Sequence, residues 1–266
     1  MSIISASGCA SWFAPKAKLR GHPLEAALQV GRASGQEAFD HSAWGEVLQA
    51  ASHADRARFD YGAVPPEALD RYLDQLAKAD LQQLPAHEQK ALLINAYNAL
   101  TVKLIAEQPT LPASIRDLDD PWGTVRWTVA GAQVSLDDIE HSLLRPIFRD
   151  PRLHFALNCA SIGCPPLRDQ PFEGPTVDAQ LDAATADTLA RSAWLTVDGD
   201  RITATALLNW YGPDFSAEGW SPRADSTLQW LAHHAPVEVG VAVKAGASLD
   251  FASYDWRLND VHTPVH

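Results

Sequence analysis

Leu93-Ile94-Asn95-Ala96-Tyr97-Asn98-Ala99-Leu100-Thr101-Val102-Lys103-Leu104-Ile105 decides the fold. Leu93, Ile94, Tyr97, Leu100, Leu104 and Ile105 recur at helical spacing. Pro85 lies ahead of the run and Pro109 and Pro112 follow it, which predicts a helix over 86–106. Upstream, weaker helical patterns cover 41–51 and 66–80, and a short one at 24–30 sits in a polar lead-in. Downstream of Pro121 the texture changes. Residues 124–129 and 132–135 flank Ala130-Gly131 and read as a hairpin. Ser135-Leu136-Asp137-Asp138 is a capping pattern for a helix over 136–145 that stops before Pro146. Residues 152–159 read as a buried strand, 177–193 and 224–234 as helices, 194–207 as a β-hairpin, and 237–259 as holding one or two strands. The expectation is an α+β fold, N-terminal helices packed on a small antiparallel sheet with interspersed helices. Residues 37–266 read as a single domain and 1–36 as a lead-in.

The chain of 266 residues carries 33 acidic against 21 basic side chains, a formal charge of −12. That balance argues against nucleic acid or an anionic membrane surface as partner. No apolar run reaches the length of a membrane span, and nine tryptophans are too many for a disordered chain. Gly-x-Gly spacing appears nowhere between a strand and a helix, so no nucleotide cofactor is expected. His154, Cys159 and Cys164 are spaced unlike a zinc knuckle, so no metal is expected either. Cys9, in Ala6-Ser7-Gly8-Cys9-Ala10-Ser11, resembles the lipidation site of a bacterial lipoprotein signal, although no basic or long apolar region precedes it. The expectation that follows is a periplasmic or membrane-anchored location, the membrane being met only through Cys9; the alternative is a cytoplasmic one.

Two helices place a polar group where an apolar one belongs. On a 100° wheel Leu136, Ile139, Leu143 and Leu144 form one stripe with Glu140 inside it, and His141 lies on its flank one turn before Arg145. A buried carboxylate must be paired or protonated. In 86–106, Asn98 lies among Ile94, Val102 and Ile105, with Asn95 beside it. Each anomaly has a bland explanation, a rim carboxylate and a structural amide; together they suggest a common polar site.

A third stretch, Arg152-Leu153-His154-Phe155-Ala156-Leu157-Asn158-Cys159-Ala160-Ser161-Ile162-Gly163-Cys164-Pro165, leads a cysteine into a turn of small residues. Free backbone N–H groups there could hold a developing oxyanion, and a thiol beside an imidazole is the minimum for acyl transfer. A regular strand would point His154 away from Cys159, which favours His141. Two inert alternatives remain open: a Cys159–Cys164 disulfide, or buried thiols.

These motifs resemble the DUF547 family. The likeness rests on 93–101, on Ser135 to His141 with Leu144-Arg145-Pro146, on 159–165, and on Trp210-Tyr211-Gly212-Pro213-Asp214-Phe215 and Tyr254-Asp255-Trp256-Arg257-Leu258-Asn259. The resemblance maps the family's Glu-His pair onto Glu140 and His141, its Asn onto Asn98 and its Cys onto Cys159. The order of His then Cys is similar to permuted papain-like (NlpC/P60-type) hydrolases.

The favoured expectation is a cysteine-dependent amide or peptide hydrolase. Cys159 is its nucleophile and His141 its general base, oriented by Glu140, Asn98 or Asp255, with Asn98, Arg145, Ser161 and Cys164 in binding roles. Its substrate would be a small molecule or peptide, such as glutathione or a cell-wall peptide. The alternative is a non-catalytic binding or scaffold module in which Glu140, His141, Asn98 and Arg145 form a brace.

Overall fold

Four helices build the N-terminal half of the computed structural model, which describes residues 21–264: α1 (Leu24–Ser34), α2 (Ser42–Ala51), α3 (Pro66–Lys78) and α4 (Ala86–Ala106). Cys9 lies outside the described residues. Helix α4 is buried on nearly every side and packs against α1 and α3, which is why its pattern is apolar almost all round. Gln89 fastens it. Its Nε2 donates to the carbonyls of Leu28, Leu81 and Leu84 at 3.0, 2.9 and 3.0 Å. A Cβ at Gly31 would stand 2.1 Å from the Leu81 carbonyl oxygen, so α1 can approach only through a glycine. Helix α1 is thus part of the core, although its sequence sits in the polar lead-in.

Strands β1 (Ser52–His53) and β2 (Arg58–Phe59) form a two-stranded ribbon, as do β3 (Trp127–Val129) and β4 (Ala132–Val134). The second is the expected hairpin. Ala130 and Gly131 both take positive φ, as a two-residue turn requires. Ser135 and Asp138 then exchange the hydrogen bonds of a capping box, at 3.1 and 2.9 Å to the backbone nitrogens.

The helix that follows departs from expectation. Asp138–Leu144 is a π-helix, and the N–H of Arg145 reaches back five residues to the Glu140 carbonyl. The chain then continues through Pro146 as α5 (Arg145–Phe148) instead of stopping before it. Proline at the head of a new α-turn removes an N–H that the turn does not need, and the widened turn ahead of it absorbs the extra residue. Leu136, Ile139, Leu143 and Leu144 are buried as the stripe requires.

The expected strand at 152–159 is absent. Pro151–Phe155 forms a 3₁₀ turn, capped by the Asp150 carboxylate accepting from Arg152 N, and irregular backbone follows it. Proline and the capping aspartate favour a turn over a ladder. Beyond it lie α6 (Val177–Leu189), β5 (Leu195–Asp198), β6 (Arg201–Ala204), α7 (Leu207–Trp210), α8 (Gly212–Ser216), α9 (Thr227–His234), α10 (Val237–Lys244) and β7 (Ser248–Phe251). Residues 237–244, expected in a strand region, are helical. The three-stranded sheet runs β5-β6-β7, with β5 and β6 antiparallel and β6 and β7 parallel.

The architecture is α+β, and its apolar side chains gather into two clusters. One centres on α4 with Leu136, Ile139 and Leu157. The other gathers Phe155, Ile202, Leu208, Tyr211, Phe215 and Trp230 around the three-stranded sheet. Among the described residues no helix is long and apolar enough to cross a membrane.

Candidate active site

A cavity of about 30 Å³ lies in the seam between the two clusters. Tyr97 and Leu157 from the first face Leu207 and Tyr211 from the second, and Glu140, His154, Cys159, Cys164, Trp210 and Tyr254 complete the wall. Seams of this kind are where ligand sites concentrate.

His154 reaches the cavity because the 3₁₀ turn, unlike a regular strand, does not impose alternation. Its Nε2 lies 2.8 Å from Asp214 Oδ2 and its ring stacks on Tyr211 at 3.9 Å between centroids. Burial pulls the imidazole below its ordinary range, and the Asp214 hydrogen bond opposes this without reversing it. His154 is therefore a neutral imidazole with Nε2–H committed to a carboxylate, which leaves the lone pair on Nδ1. Asp214 in turn accepts two hydrogen bonds from Arg145, at 2.7 and 2.9 Å. Burial pushes its carboxyl up, but His154 and Arg145 outweigh burial and hold it below the usual carboxylate range.

His141 is placed differently. Its Nδ1 lies 3.0 Å from Arg145 Nη1, which can only donate, so Nδ1 accepts and the proton sits on Nε2, facing Asp137 Oδ1 at 3.8 Å. It does not line the cavity. Its Nδ1 lone pair is engaged by the Arg145 guanidinium, and no hydrogen bond joins it to Cys159 among the described residues.

Glu140 lines the cavity with a side chain about 10% exposed. Tyr97 and Tyr211 line the same cavity, and burial beside the Glu140 charge keeps both phenols protonated. Burial works against the charge on Glu140, yet the attraction of His141, His154 and Arg145 keeps its carboxyl below the usual range.

Cys159 and Cys164 are joined by a disulfide. The Tyr254 hydroxyl lies 3.2 Å from one sulfur and 3.0 Å from the other. The Tyr254 ring covers Gly163, where a Cβ would come within 2.8 Å of it, so the ring's seat depends on that glycine. The expected cradle of free N–H groups is filled. Cys159 N donates to Cys164 Sγ at 2.9 Å, Ala160 N to Asn158 Oδ1, Ile162 N to the Arg257 carbonyl and Gly163 N to the Asp255 carbonyl.

Asn98 proves to be a tie and not a partner of any imidazole. Its Nδ2 donates to the Ala156 carbonyl at 2.9 Å and its Oδ1 accepts from Asn158 N at 2.8 Å. Asn95 ties down Phe172 in the same way, at 2.7 and 3.0 Å. The two amides border a separate hollow, so α4 and the π-helix do not share a polar site through Asn98. Tyr97 makes that junction instead. Asn158 passes the restraint on to Ala160, which is held at φ +61°, a left-handed value unusual for alanine. Ser161 is fully buried and its hydroxyl has no hydrogen-bond partner among the described residues. Asp255 is taken by Arg257, at 3.0 and 3.1 Å to Nε.

Asp214, Tyr211, Tyr97 and Tyr254 were not among the expected site residues. The signal for the first two was an aspartate set among aromatic residues in Trp210-Tyr211-Gly212-Pro213-Asp214-Phe215, where a buried carboxylate needs a cation. Residues 81–189 match the sequence model of a family described as protein of unknown function, DUF547. The match supports the DUF547 family. No curated protein and no solved structure matches the chain. The DUF547 segment supplies Tyr97, Glu140, His154 and both cysteines, while Tyr211, Asp214 and Tyr254 come from the chain that follows it. Among the described residues no group of three His, Cys, Asp or Glu side chains is arranged to hold a metal ion.

Proposed function

We propose that the seam cavity is the active site of a cysteine-dependent amide hydrolase, with Cys159 as nucleophile and His154, oriented by Asp214, as general base. The observation that carries this is that Cys159 and His154 share one cavity wall while Asp214 binds His154 through Nε2, and Nδ1 takes no hydrogen bond among the described residues. A nucleophile, a base and an orienting carboxylate make the familiar three-part relay. The thiol proton passes to His154 Nδ1, sulfur attacks the carbonyl carbon, and the amine leaves with that proton. Water then hydrolyses the thioester to acid and free thiol. Small thiol peptides and cell-wall peptides are the proposed substrates.

The disulfide makes reduction a precondition. A dithiol reductant must return two electrons to the sulfurs before Cys159 can attack, and the same step releases Cys159 N–H from Cys164 to serve a developing oxyanion. The bond also favours an oxidising compartment, in keeping with the periplasmic location proposed from Cys9. The test is hydrolysis of glutathione and of cell-wall peptides by oxidised and reduced protein. Turnover should appear only after reduction and vanish in Cys159→Ala and His154→Gln, with His141→Gln keeping most of it. Full turnover in Cys159→Ala, or none in the reduced wild type, sinks the hydrolase.

One observation favours a second reading, a non-catalytic module. The bidentate Arg145–Asp214 pair, the Asn98 tie and the disulfide all join the two clusters or secure the loop between them. Absence of turnover with either substrate after reduction would favour it.

A further inference from the structure

Around the cavity the charges do not balance. Arg145 spends Nε and Nη2 on Asp214 and Nη1 on His141, so its hydrogen bonds go to those two residues. Asp214 is neutralised by Arg145, and His154 is held uncharged. Glu140 remains, a carboxylate about 10% exposed that shares the cavity wall with the neutral phenols of Tyr97 and Tyr211. Its nearest nitrogen on a basic ring is His141 Nδ1, 3.8 Å away and already accepting from Arg145. Arg145 attracts this carboxylate only across space, its hydrogen bonds being spent elsewhere, so a cation in direct contact would stabilise it further.

The rest of the wall suits a cation. The Trp210 and Tyr254 rings, 4.8 Å apart between centroids, belong to the cavity wall, and aromatic faces attract cations. Leu157 and Leu207 add apolar surface to the wall. A volume of about 30 Å³ has room for roughly two waters, the bulk of an aminomethyl head and too little for a guanidinium or a trimethylammonium.

We infer that Glu140, with Tyr97 and Tyr211, is a recognition site for a primary ammonium group, so that the substrates are peptides or amides carrying a free amine close to the bond presented to Cys159. This rests on the hydrolase reading for the word substrate, but the binding itself does not. The oxidised protein cannot attack an amide, so it measures recognition without turnover.

The experiment is calorimetric titration of the disulfide-intact chain with alanyl-alanine and with N-acetyl-alanyl-alanine. The free amine should bind at least about tenfold more tightly, a difference of about 1.4 kcal/mol. Acetylation removes the charge and enlarges the head together, so alanyl-alanine is also compared with its N,N,N-trimethyl form, which keeps the charge and should lose binding by size. In Glu140→Gln the preference for the free amine should collapse to less than about twofold. Should that variant fold poorly, the ligand-side comparison decides alone. Equal binding of free and acetylated peptide, binding of neither, or a preference that survives Glu140→Gln overturns the inference. Failure of hydrolysis after reduction, with amine-selective binding intact, strikes only the hydrolase.

Discussion

His154 and His141 both carry the proton on Nε2 and differ in what meets it and in whether Nδ1 is engaged. Arg145 donates to His141 Nδ1, whereas Asp214 accepts from His154 Nε2. Replacing Asp214 by Asn removes the acceptor that sets the His154 tautomer. Turnover of the reduced protein should fall by about three to four orders of magnitude. Because Arg145 is left buried without its counter-charge, urea denaturation should also show a loss of about 3 kcal/mol. Titration has a definite sign here. An imidazole held neutral in the fold binds its proton at lower pH than it does in the unfolded chain. Between those values the unfolded state holds more protons, so stability is complete above about pH 6.5 and declines as pH drops below it. Asp214, held below its usual range, adds a loss only at still lower pH. In His154→Gln the slope of stability between pH 6.5 and 5 should shrink, measured by urea midpoints at each pH.

At the scale of elements, the site depends on irregular backbone. The π-helix at Asp138–Leu144 carries Glu140 into the seam, and the loop after the 3₁₀ turn brings both cysteines to the same wall. Asn98 is the tie between α4 and that loop. Asn98→Ala leaves Asn158 N and the Ala156 carbonyl without a side-chain partner and should cost about 2 kcal/mol in chemical denaturation. Tyr254 covers the disulfide from the other side. Gly163→Ala introduces a Cβ within 2.8 Å of its ring, and the ring must move away. The disulfide should then be reduced faster by a soluble phosphine, followed by thiol counting. An unchanged reduction rate would show that Tyr254 does not shield the sulfurs.

At the scale of the whole molecule, the two clusters meet through few polar links, and the disulfide loop lies in the seam. Closing a loop between Cys159 and Cys164, five positions apart, restricts the unfolded chain by about 2 kcal/mol. Reduction should lower the unfolding free energy obtained from urea titration by that amount while far-ultraviolet dichroism stays constant. A loss of the second cluster alone, seen as a separate transition of tryptophan fluorescence, would mean that the loop holds the clusters together and does more than limit the unfolded state.

Local pattern by itself determined the long helix at 86–106, the hairpin turn at Ala130-Gly131, the capping box at Ser135 and the placing of Glu140 and Asn98 among apolar neighbours, since each follows from residues a few positions away along the chain. The α+β class followed from the order of those elements. Partnership was a tertiary matter. Asp214 stands 60 positions from His154 and Tyr254 stands 95 from Cys159, and no periodicity spans such separations. The π-turn was hidden as well, because a wheel drawn at 100° per residue assumes the hydrogen-bond spacing that Arg145 and Glu140 do not keep. Whether His154 reaches the seam depended on a strand that needed a pairing partner; lacking one, the chain curled at Pro151 and set His154 in the cavity wall that also holds Cys159.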